Sequence, residues 1–148
     1  MNVASIQPVY NRSLIAALLS ALETVPGAAL LTTPKVHLFT AGPTPITPNS
    51  TVANFTEATF AGYASISLPT LSALINLPNN TAYGEDAQVQ WIASTITGGG
   101  QTILGYWVDN GTSTLYLAEY FPTPIPISII GDNINLQVVF GLIFSPLY

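Results

Sequence analysis

The chain has 148 residues, the length of one domain or of one domain with arms. Charged residues make up 6% of it and hydrophobic residues 49%, where an ordinary soluble domain carries roughly 25% charge. Two basic residues, Arg12 and Lys35, cannot supply the roughly 6–10 phosphate contacts of a typical nucleic-acid binder. The absence of cysteine removes disulfides, thiolate metal sites and a cysteine nucleophile.

In chain order, residues 1–12 read as an N-terminal arm or edge strand, ahead of a single domain over residues 13–148. Residues 1–10 lack the basic-then-apolar pattern of a signal peptide. Leu14, Ile15, Leu18, Leu19 and Leu22 recur at helical spacing with alanines between them, which predicts one short helix closed by Pro26-Gly27. The helix lacks the basic polar face of a membrane-surface helix, and no apolar run reaches the roughly 20 residues of a membrane span. No membrane partner is therefore expected.

Beyond Pro34 the pattern turns to strands. Residues 36–40 read as extended, and Pro43, Pro45 and Pro48 make residues 42–50 a stiff exposed loop. Residues 51–60 fit either a short helical turn or an irregular segment. Residues 61–68 read as a strand, and 70–77 as a short helix or strand stopped by Pro78. Alternation over residues 85–97 predicts a strand, with Gly98-Gly99-Gly100 as the hairpin turn to the next. Residues 102–109 and 114–121 flank Asn110-Gly111, a strong hairpin signal. Pro122, Pro124 and Pro126 predict an edge or connector, residues 127–130 a short strand, Gly131-Asp132-Asn133 a turn, and residues 135–144 the last strand. Seven or eight short strands punctuated by Gly and Pro indicate a mainly β fold, a β-sandwich or jelly roll.

The chain offers little chemistry. His37, the only histidine, lies between Val36 and Leu38 with no specified nucleophile or orienting partner, and reads as structural. The carboxylates Glu57, Asp109 and Glu119 could in principle form a hydrolytic pair, but no spacing joins them, and an enzyme is not expected. Glu85-Asp86 and Asp132-Asn133-Asn135 offer oxygens for calcium without matching an EF-hand loop; turn chemistry accounts for the second group. Gly98-Gly99-Gly100 lacks the Lys-Ser/Thr of a phosphate loop, and the Asn-x-Ser/Thr triplets at Asn49, Asn54, Asn79 and Asn110 are expected by chance in so Asn- and Thr-rich a chain. No cofactor, metal or catalytic residue is assigned. Trp91, Tyr106, Trp107, Tyr116, Tyr120 and Phe121 gather in the middle strands. Adjacent Tyr106 and Trp107 must face opposite sides of one strand, so one is expected in the core and the other against a partner, a helix or solvent.

Several segments resemble small proteins encoded among the structural genes of tailed bacteriophages. They are Leu38-Phe39-Thr40 with its Pro/Thr/Asn loop, Asn54-Phe55-Thr56-Glu57-Ala58-Thr59-Phe60-Ala61-Gly62-Tyr63, Gly105-Tyr106-Trp107-Val108, Leu117-Ala118-Glu119-Tyr120-Phe121 and Gly131-Asp132. Together they span residues 38 to about 138. The resemblance implies a virion component similar to β-rich head cement (decoration) proteins. Such proteins form homotrimers on the outer surface of the head and bridge neighbouring major capsid proteins. On that reading the interface draws on Val9 and Tyr10 of the arm, Pro43, Pro45 and Ile46 of the loop, Trp107, and Phe144, Leu147 and Tyr148 at the end of the chain. The alternative it leaves open is a tail, fibre or neck protein whose sandwich binds a receptor or glycan through aromatics exposed near Tyr106 or Trp107.

Overall fold

The computed structural model describes residues 9–10, 29–31, 34–68, 71–72, 74–76, 81–95 and 100–143. The helix expected over residues 14–22 and the end-of-chain residues Phe144, Leu147 and Tyr148 lie outside them. The described chain is mainly β, with strands β1 (Val9–Tyr10), β2 (Ala29–Leu31), β3 (Lys35–Ala41), β4 (Thr56–Glu57), β5 (Ile66–Ser67), β6 (Leu71–Ser72), β7 (Leu74–Asn76), β8 (Thr81–Ile92), β9 (Gln101–Asp109), β10 (Leu115–Ile127) and β11 (Asn133–Ile143).

The larger sheet has the order β1-β10-β9-β3-β4, with β5 also on β3, and every pairing in it is antiparallel. A second antiparallel sheet runs β11-β8-β7, and β2 and β6 form a small pair of their own. The two larger sheets enclose the main core. Val36 and Leu38 of β3, Ile103, Tyr106 and Val108 of β9, and Leu117 and Ile127 of β10 pack with Val89 and Trp91 of β8 and Ile134 and Val138 of β11. This is a β-sandwich, and the two-residue alternation in each strand is what supplies its inner face.

Several expected boundaries move. The predicted strand over residues 61–68 shortens to Ile66–Ser67, because a turn donates Tyr63 N–H to Phe60 C=O around Gly62 at φ +94°. The three prolines at 122–126 do not end β10, which runs through them to Ile127. A register shift between Tyr120 and Ile125 interrupts the ladder to β9 at Pro122 and Pro124, and Pro126 stands opposite Thr102 where the ladder resumes. Ile127 ends β10, and Ser128 to Asp132 form a turn in which Asp132 Oδ2 accepts from Ser128 N (2.7 Å) and Ile129 N (2.9 Å). β8 and β9, the strands before and after Gly98-Gly99-Gly100, belong to different sheets and do not form the expected hairpin; Gly98 and Gly99 lie outside the described residues.

Candidate functional site

The outer face of the larger sheet carries a second, separate core. In β3 the inward Val36 and Leu38 alternate with His37 and Phe39, which point the other way. In β9, Trp107 stands opposite His37 and Gly105 opposite Phe39. The segment between β3 and β4, held by the 3-10 turn Val52–Asn54, folds back over this face. It brings Phe55 onto Phe39 (centroids 5.0 Å apart) and onto Trp107 (5.4 Å), while Tyr120 of β10 meets Phe39 edge-on at 5.1 Å. Tyr106 and Trp107 do face opposite ways, as adjacent strand residues must, yet both are buried: Tyr106 between the sheets and Trp107, 2% exposed, under the loop. Trp107 thus offers no surface to a partner, and neither residue forms an exposed stacking platform.

The polar end of this second core is the candidate site. The His37 ring lies flat on the Trp107 indole, 4.7 Å between centroids and 3° between planes. Its Nδ1 is 2.7 Å from Glu57 Oε1, and its Nε2 is 3.2 Å from Asp109 Oδ2. The second contact is off the line of a straight N–H···O bond and acts as an ion pair. Glu57 Oε1 also accepts the Tyr63 hydroxyl at 2.6 Å, and that hydroxyl accepts Leu38 N–H at 3.2 Å. Asp109, 2% exposed, receives Trp107 Nε1–H at 3.0 Å and Gly111 N–H at 2.6 Å.

These partners shift the titrations. Burial by itself would lower the His37 pKa, but the hydrogen bonds and charges of Asp109 and Glu57 outweigh it and raise the imidazole above its ordinary value. Burial pushes Asp109 up, yet His37, the Trp107 indole and the Gly111 amide together hold it below the usual carboxylate range. The Tyr63 phenol is driven well above its ordinary value by burial and by its bond to Glu57. Elsewhere, burial raises Glu119, a half-buried carboxylate that accepts the Tyr106 hydroxyl at 2.8 Å.

When His37 carries both ring protons neither nitrogen is free to accept a further one, and among the described residues no Ser or Thr hydroxyl bonds to the ring. Both carboxylate contacts fasten the ring in place. Among the described residues no group of three or more His, Asp or Glu side chains could hold a metal ion. The oxygens of Asp132 and Asn133 serve the turn itself, Asn133 Oδ1 accepting from Asn135 Nδ2 at 2.9 Å.

The loop residues named as interface candidates lie beside Tyr120 and the second core. Pro45 is exposed, Ile46 packs against the second core, and the carbonyl of Pro43 accepts the Tyr120 hydroxyl at 3.3 Å. Val9 and Tyr10 form the edge strand on β10. Sequence reasoning had no means of joining His37 to Glu57 and Asp109; the one available signal was a histidine at an outward position between two buried residues. Comparisons with protein-family models, curated proteins and solved structures find no match.

Proposed function

We propose that the chain is a structural virion protein of the cement type, a trimer-forming sandwich that bridges neighbouring major capsid proteins on the outside of the head. The observation that supports this reading is where the charge goes. Glu57 and Asp109 are bound to His37, Glu119 to Tyr106, and Asp132 to the backbone of its own turn. Apart from Glu57 and Asp132, the exposed surface of the described residues is mostly Thr, Ser, Asn, Gln and Pro, with Ile92, Ile129 and Ile130 at one end, the last two about two-thirds exposed. Neutral and apolar groups of this kind lose little free energy when an assembly removes their water, whereas unpaired charges would lose much.

Function on this reading is added contact area that raises the barrier to rupture of the shell, without covalent chemistry. The resemblance described under Sequence analysis supplies the particle; the charge distribution supplies the suitability. A particle reconstruction tests it: density for the sandwich in three-fold clusters on the shell is the expected result, and density confined to the tail would reject it. Deleting residues 1–10 should also make particles less resistant to heat and osmotic shock, and unchanged resistance would count against the arm as a fastener.

A further inference from the structure

The His37 side chain adds contacts between β3, the two-residue edge strand β4 and the end of β9, strands whose backbones already pair Phe39 with Glu57 and Lys35 with Asp109. Its stereochemistry sets a condition on protonation. Both carboxylates accept hydrogen bonds when ionised and donate none. Satisfying both therefore requires an N–H on each ring nitrogen, which only the imidazolium has. A neutral ring would turn a lone pair toward one carboxylate.

Which contact then yields follows from burial. Asp109 is enclosed and is held by Trp107 and Gly111 besides His37. The Glu57 side chain is 43% exposed and can exchange its bond to His37 for water. We propose that His37 is a pH-operated latch: doubly protonated it reinforces the hold of the edge strand β4 on β3 through Glu57, and loss of one proton loosens that edge while Asp109 stays in place. The groups facing it are Glu57 and Asp109, Tyr63 bonded to Glu57, Tyr116 of β10 within the field of Asp109, and Lys35, which stands opposite Asp109 across β3 and β9. The raised titration of His37 places the loosening on the alkaline side of the ordinary imidazole range. The latch is a property of the isolated chain and does not depend on what the protein assembles with.

Because His37 is the only histidine, the untagged chain gives a single, unambiguous imidazole signal. An NMR titration of that ring, paired with amide hydrogen exchange corrected for its intrinsic pH dependence, reads the latch directly. The expected result is a ring midpoint above the ordinary imidazole value, and a loss of roughly fivefold in protection at the Ala58 amide, which donates to Leu38 C=O, across that midpoint. Glu57→Gln, at a partly exposed position, should bring the midpoint back toward the ordinary range and abolish the step in protection. A wild-type midpoint at or below the ordinary value, or protection that crosses the midpoint unchanged, would overturn the proposal.

Discussion

Gly105 shows how a single missing side chain shapes the second core. A Cβ there would run into the Glu119 carbonyl oxygen and the tip of the Phe39 ring, which lies over the glycine from the neighbouring strand. The backbone on one side and a fully buried ring on the other leave little room to yield. Gly105→Ala should therefore destabilise the fold by about 1–3 kcal/mol, read as a lower urea midpoint with an unchanged slope. Glu119 makes the opposite case. Its carboxyl is raised by burial, so its charge works against the folded state at neutral pH. Glu119→Gln keeps an acceptor for the Tyr106 hydroxyl and removes that charge. It should stabilise by about 0.5 kcal/mol after allowance for partial exposure, with the gain shrinking as pH falls and the wild-type carboxyl protonates. Thermal melts at pH 8 and pH 4.5 would compare the two.

Among the elements, the β9–β10 hairpin and the 42–55 loop were legible to different degrees. Asn110-Gly111 marks the hairpin correctly, and Gly111 takes φ +77°. The connection is nevertheless longer than two residues. Asn110 N–H donates to Thr114 C=O, and Asn110 Oδ1 gathers the N–H groups of Thr112, Ser113 and Thr114, so the side chain organises the loop. The prolines of the second segment mark a stiff loop, and that is what forms. Its docking could not be anticipated, because Phe55 finds Phe39 and Trp107 only once β3 and β9 are paired. Phe55→Ala should cost about 3 kcal/mol and increase proteolysis within residues 42–55, leaving the sandwich between the two sheets in place. Cleavage no faster than in the wild type would show that the loop is held by something other than this ring.

At the scale of the whole molecule, stability should follow the two titrations at the latch. His37 is raised in the folded chain, so its contribution is complete below the ordinary imidazole value and is lost as pH rises through the raised one. Asp109 is lowered, so its contribution is complete above the ordinary carboxylate value and is lost as pH falls through the depressed one. Together they give a plateau over mildly acidic pH with a decline on each side. Urea denaturation from pH 3 to pH 9 would map it, and His37→Gln should flatten the alkaline limb and also shrink the acidic one, leaving the part that Trp107 and Gly111 supply to Asp109. The same distribution of charge, used inside the chain and absent from most of its surface, is what fits the molecule for packing against neighbours.

The amino-acid sequence by itself determined the class of the fold. Alternation with period two, turn residues at regular intervals and an apolar excess too large for the charge present all act between near neighbours, and they lead to a β-sandwich. Near-neighbour preferences do not say which strands share a sheet. They placed a hairpin at Gly98-Gly99-Gly100, between strands that belong to different sheets, and they did not say which of Tyr106 and Trp107 lies in the core, where both prove buried. Only the tertiary structure decided that His37 meets Glu57, 20 residues on, and Asp109 at the far end of β9. Those contacts depend on strand register and on a loop folding back, and both are set by long-range packing rather than by any local pattern around the histidine.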